Sequence, residues 1–92
     1  MKEIIIEGAL IASREELHKV FKEALDLPEH YGKNLDALWD MLTGDIDLPI
    51  RIIWRDYSIT EENIGSYAKR TLEVIKRAAE TLENKIFYTI EQ

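Results

Sequence analysis

The chain has no cysteine among its 92 residues, which excludes disulfides, thiolate metal sites and a cysteine nucleophile in one step. Glycine and proline are scarce, four and two respectively. They do not cluster, so no linker, low-complexity segment or repeat interrupts the sequence. Long apolar runs are also missing, and none approaches the ~20 residues that cross a bilayer as a helix. The opening MKEIIIEG has neither a basic n-region nor a long apolar h-region, so it does not read as a signal peptide and the expected location is cytoplasmic. Positive charge is the minority, with 12 Lys and Arg against 18 Asp and Glu and a net charge of −6. That sign disfavours nucleic acid and anionic membranes and favours a basic partner. A catalytic set is absent too. Ser13, Ser58 and Ser66 fall at turns or caps, no glycine-rich phosphate loop occurs, and His18 and His30 have no partner at a recognisable spacing. His18 reads as a surface residue of the first helix. His30 with Glu29, Asp36 and Asp40 makes no known ligand motif, so the sequence implies no enzyme, no metal and no cofactor.

What is present is enough for one core, with 46% hydrophobic residues and two Trp. A chain this short buries only about two-thirds of the surface its unfolded form exposes. Ile4, Ile5 and Ile6, within Glu3–Glu7, are a β-branched run that suggests a strand covered on both faces, in the middle of a sheet. Gly8 ends it. Ser13 and Glu16 form a capping box ahead of Leu17, Val20, Phe21, Ala24 and Leu25, which predicts a helix over 14–26. Ile50–Trp54 is a second strand, whose single charge, Arg51, marks a sheet edge or the strand's start. The weakly patterned 57–63 predicts a short helix begun by Ser58 or Thr60. Ser66 then caps a longer helix carrying Ala68, Leu72, Ile75, Ala79 and Leu82, and Lys85–Ile90 closes the chain as a third strand. Strands joined by helical crossovers run parallel. The expected fold is α/β, a small three-stranded parallel sheet flanked by three to four helices in one domain, 1–92.

The densest information lies in LPEHYGKNLDALWDMLTG, residues 27–44. Pro28 ends the incoming helix, Gly32 permits a turn, and Asn34 is a favoured N-cap, so a helix should start at Leu35. Leu35, Leu38, Trp39 and Leu42 follow the i, i+3, i+4, i+7 spacing of one apolar stripe, which makes Trp39 a core residue first and a contact second. Asp36 and Asp40 share another face. Like charges four apart cost a few tenths of a kcal/mol. Asp36, near the positive end of the helix dipole, recovers that cost, and Asp40, past the middle, does not. The plain reading of the pair is a solvated helix face, and the motif around it argues for more.

That eighteen-residue stretch, followed by a proline and a strand ending in Trp54-Arg55, resembles the barstar family of intracellular inhibitors of secreted microbial ribonucleases. The first strand, Leu17-His18 and the segment from Leu72 to Ala78 also fall where the family has counterparts. The resemblance rests on Tyr31, Gly32, Asn34, Leu35, Asp36, Ala37, Leu38, Trp39, Asp40, Thr43 and Gly44. It implies a cytoplasmic protein, monomeric when free, that plugs the active site of a barnase-like ribonuclease with its second helix and the preceding loop. The carboxylate matching Asp40 would take the enzyme's phosphate site, protecting the cell that makes the toxin. Three positions depart from the family. His30 stands in place of a tyrosine, Asp45 of a tryptophan and Arg77 of a glutamate. The expected partner surface is therefore His30, Tyr31, Gly32, Asn34, Leu35, Asp36, Trp39, Asp40, Thr43, Gly44, Asp45 and Arg77. The alternative is the same fold recruited to bind a basic partner that is not a nuclease.

Overall fold

A computed structural model describes residues 1–92. Its elements are β1 (Lys2–Glu7), a 3-10 turn (Gly8–Leu10), α1 (Arg14–Leu25), α2 (Leu35–Asp40) running on as a π-helical stretch (Met41–Asp45), β2 (Ile50–Arg55), α3 (Tyr57–Ile64), α4 (Ser66–Thr81) and β3 (Ile86–Ile90). The strands pair in parallel in the order β1-β2-β3, with Ile4 opposite Ile52 and Ile52 opposite Tyr88. The expected small parallel sheet with its helices is therefore the fold.

The central strand is β2, not β1. Ile4 and Ile6 are buried while Ile5 between them is 40% exposed, so β1 is an edge strand covered on one face only. Three consecutive isoleucines favour extended backbone but carry no information about how many neighbours the strand finds. Arg51 accordingly marks the start of the central strand, and its guanidinium lies 5.5 Å from the centroid of the Phe87 ring on β3. On the covered face Ile4, Ile6, Ile50, Ile52, Trp54 and Ile86 meet Leu17, Phe21, Leu38, Leu42 and Ile75 in one core. The opposite face, with Ile5, Ile53, Phe87 and Thr89, stays half-buried or exposed.

Trp54 is fully buried and meets Phe21 and Tyr57 edge-on at centroid distances of 5.4 and 4.9 Å. Its indole N–H donates to Thr60 Oγ1 (3.3 Å), and the Thr60 hydroxyl donates to the Gly8 carbonyl (2.9 Å). This satisfies the polar groups of a core where an unpaired donor would cost about 1–3 kcal/mol. It also shows why α3 is capped neither by Thr60, whose hydroxyl is spent on Gly8, nor by Ser58, which donates to the Gln92 carbonyl. The helix starts at Tyr57, after Asp56 in the left-handed region at φ 51°. Likewise Ser66 is the first residue of α4 rather than its cap, which is Gly65 at φ 62°. Ser13 does cap α1, accepting from the Glu16 N–H at 3.1 Å. At Gly8 a side chain would run into the backbone carbonyls of Arg55 and Asp56, so the turn after β1 can pack against the start of α3 only with glycine there.

Candidate functional site

The loop before α2 is fixed at every few residues. Asp26 turns left-handed at φ 54° to end α1, and Leu27 N–H donates to the Lys22 carbonyl at 2.9 Å, the geometry that closes a helix C-terminus. Tyr31 N–H donates back to the Pro28 carbonyl (3.0 Å), making a turn. Lys33 takes φ 57°, and Asn34 then caps α2, its Oδ1 accepting from Ala37 N–H at 2.7 Å. An added Cβ on Gly32 would lie 3.2 Å from the Ala37 Cβ, so glycine lets this loop close down on the helix.

The deepest anchor is one that sequence reasoning missed. His18 is not on the surface of α1 but buried, 2% exposed. Its Nδ1 shares a 2.7 Å hydrogen bond with the Tyr31 hydroxyl and its Nε2 another 2.7 Å bond with the Tyr67 hydroxyl, joining α1, the loop and α4. Burial pushes its pKa below the ordinary histidine value and pushes the pKa of both tyrosine hydroxyls up. The sequence did carry a signal, because His18, Phe21 and Leu25 repeat at i, i+3, i+7 on the apolar stripe. Tyr31, expected on the partner surface, is thereby turned inward. It is 3% exposed and holds the loop from behind.

In α2 itself Leu38 is fully buried and Met41 and Leu42 follow it into the core. Asp36 and Asp40 are exposed on the other side, as are His30, Gly32, Asn34, Gly44 and Asp45, while Leu35, Trp39 and Thr43 are partly buried. The helix widens into a π turn after Asp40. There the Thr43 hydroxyl donates to the Trp39 carbonyl at 2.8 Å, taking the acceptor that the α-helical N–H of residue 43 would use. A Cβ at Gly44 would meet nothing within 4 Å, so space does not demand glycine at that end. Arg77 of α4 closes the side of the site. Its guanidinium stands 5.8 Å from the Trp39 ring centroid, above a groove of about 180 Å³ lined by Leu35, Asp36, Trp39, Val74 and Arg77. Val74 is the other residue that spacing alone did not bring to the site.

The ion pairs of the chain lie elsewhere. Lys22 meets Glu29, Arg55 meets Glu7 and Glu91, Lys69 meets Glu61 and Lys76 meets Glu73. Asp36, Asp40, Asp45 and Arg77 have no such partner, so the face of α2 presents carboxylates that no ion pair within the chain ties up. No group of three His, Asp or Glu converges to hold a metal ion, and His30 does not join Asp36 and Asp40 in one.

The family model described as Barstar (barnase inhibitor) matches residues 1–90. The chain belongs to the barstar family. One relative is the Bacillus subtilis (strain 168) protein named "Putative ribonuclease inhibitor YrdF", which is 44% identical over 91 residues, covering 99% of this chain and 100% of the relative. A match of that extent takes in the barstar-family sheet and its helices together with the loop and α2.

Proposed function

We propose that this protein inhibits a barnase-like ribonuclease in the cytoplasm by lodging α2 and the loop before it in the enzyme's basic active site. One observation carries the reading. Asp36 and Asp40 are exposed and unpaired on a helix whose other side is fixed in the core. A ribonuclease must gather Arg, Lys and His where it binds phosphate, and a carboxylate held in place there satisfies those cations as substrate does. Because the loop is fixed before any partner arrives, little ordering entropy is lost on docking. Asp40 takes the place of phosphate, and His30, Leu35, Trp39, Thr43 and Asp45 contribute to the same docking surface. Arg77 adds one cation to this acidic face, so a matched enzyme offers an acidic or neutral group opposite it. The family description and the name of the Bacillus subtilis relative support the same partner class.

The test is Asp40→Ala. Truncation strands cations that the docked helix has removed from water, so affinity for the cognate enzyme should fall by about 2–5 kcal/mol, mostly through faster dissociation. Fold stability should change by less than about 0.5 kcal/mol, because the side chain is exposed and makes no bond within the chain. Asp36→Ala should cost less binding. Titration calorimetry, thermal melts and a ribonuclease assay on both variants read all three quantities. Unchanged affinity for Asp40→Ala would overturn the proposal, and tight binding without loss of ribonuclease activity would mean that the helix docks outside the active site.

A further inference from the structure

The outer edge of β3 has no neighbour in the sheet. The Lys85 carbonyl accepts from Ile50 N–H (2.9 Å) and Glu91 N–H donates to the Trp54 carbonyl (2.8 Å), so the odd-numbered residues of this stretch turn their backbone groups toward β2. Alternate residues of a parallel strand do so. Ile86, Tyr88 and Ile90 therefore point theirs outward, and of these only the Ile86 N–H is used, by the Leu82 carbonyl at 3.3 Å. We propose that this edge docks a second copy of the chain, the two β3 strands pairing antiparallel about a twofold axis that places Tyr88 opposite Tyr88.

The sequence of the edge is complementary to itself in that register. Tyr88 N–H meets the Tyr88 carbonyl of the second copy, and Ile90 N–H meets the Ile86 carbonyl, each twice by symmetry. Tyr88 faces Tyr88 and Phe87 faces Thr89, exposed or half-buried aromatic and β-branched side chains of a kind that stabilises paired strands, while Ile86, whose side chain is already buried in its own core, contributes only its backbone carbonyl. At the ends Lys85 faces Glu91 of the second copy, opposite charges at both corners. Glu91 holds Arg55 through Oε1 at 3.5 Å and keeps its other oxygen free for that lysine. No charge, proline or glycine lies between Lys85 and Glu91 to guard the edge, whereas the other edge strand, β1, carries Lys2, Glu3 and Glu7. Two strand edges this short bury well under the ~1,000 Å² of a stable interface. Association is thus weak, with a dissociation constant on the order of 0.1–1 mM. Dilute protein stays the monomer expected from the sequence, and the inhibitory unit remains one chain.

Sedimentation velocity from about 10 μM to about 1 mM reads the association directly. Wild type should shift from monomer toward dimer across that range. Tyr88→Pro removes an N–H that β2 does not use, and an edge strand tolerates proline there; it should weaken the dimer at least about tenfold. Lys85→Glu, which places carboxylates opposite Glu91, should weaken it several-fold, and adding Glu91→Lys should restore it. This charge swap decides the question even if Tyr88→Pro disturbs folding. A mass that stays monomeric throughout, or a dimer indifferent to these variants, overturns the proposal. Inhibition of a ribonuclease at nanomolar protein should be the same for all of them, which keeps this result separate from the function of α2.

Discussion

His18 is held between two hydroxyls that together suit a neutral ring. Each tyrosine has one O–H, so an uncharged imidazole donates from one nitrogen to one tyrosine and accepts at the other nitrogen from the second. Protonation makes both nitrogens donors, so the hydroxyl that had donated to the ring loses its acceptor in a buried position. It also adds charge where Arg14 and Arg70 already lie over the Tyr67 ring, at 4.4 and 5.5 Å from its centroid. With its folded pKa lowered by burial, His18 leaves the folded chain short of a proton that the unfolded chain accepts below about pH 6.5. The stability His18 contributes is thus complete above that value, is lost as pH falls from it toward the lower folded pKa, and levels off beyond. Denaturant melts of wild type and His18→Gln between pH 5 and 7.5 should show wild type losing stability relative to the variant as pH falls. Parallel curves would mean that the ring carries no such linkage. Tyr31→Phe isolates the loop's share of the arrangement. It leaves the Nδ1 of a buried ring unpaired, so it should cost about 1–3 kcal/mol of stability and, on the proposed function, also speed dissociation from the partner, because Tyr31 lies between His30 and Gly32 in the loop proposed to dock.

At the scale of the element, α2 is too short to be helical on its own merits. Six α-helical residues fall well below the ~12–15 at which an isolated helix becomes marginal. Its place is set by the Asn34 cap at one end and by Leu38, Met41 and Leu42 in the core. Asn34→Ala should therefore cost about 1 kcal/mol of stability and raise the dissociation rate as the first turn frays, read by melts and by stopped-flow dissociation on the same protein. An equal loss of stability with an unchanged rate would show that the partner restores the turn by itself. Cap chemistry is local, which is why the start at Leu35 could be read from residues 34–37 and why Ser13 was legible at α1. The expected end at Thr43-Gly44 lies within a residue of the last helical residue, Asp45, but the π turn before it was not legible, because it depends on where the Thr43 hydroxyl goes. Nor could the chain order tell β1 from β2 as the central strand. That depends on which strand finds two neighbours, a non-local fact to which Ile4, Ile5 and Ile6 contribute only their shape. Thr60 and His18 failed for one shared reason. A polar side chain on a helix reads as a cap or as surface until its distant partner, the Gly8 carbonyl or the two tyrosines, is known.

The whole molecule carries −6, and how that charge is distributed determines how a partner meets it. The five ion pairs within the chain use Lys22, Arg55, Lys69 and Lys76 with Glu7, Glu29, Glu61, Glu73 and Glu91, and none of them involves a carboxylate of α2. The exposed carboxylates of α2 and of Asp45 therefore project their field into solvent, offset in part by the nearby cations Lys33 and Arg77. A basic cleft is drawn toward such a face from a distance and turned toward it during approach, so the association rate should exceed the ~10⁵–10⁶ M⁻¹s⁻¹ of unsteered encounters. Steering acts across water and is screened. Between ionic strengths of about 0.02 and 0.5 M the Debye length shrinks from about 20 Å to about 4 Å, and the association rate should fall at least about tenfold. Dissociation should change much less, because in the docked complex the charges are close together and shielded from salt. Stopped-flow association across that range, with wild type, Asp36→Ala and Asp40→Ala, measures the steering and assigns it. Each variant should show a shallower dependence on salt than wild type, and Asp40→Ala should also dissociate faster, since it loses the contact as well as the field. A wild-type rate that ignores salt, or three equal slopes, would mean that the charge on this face does not guide the encounter, and the acidity of the chain would then need another explanation.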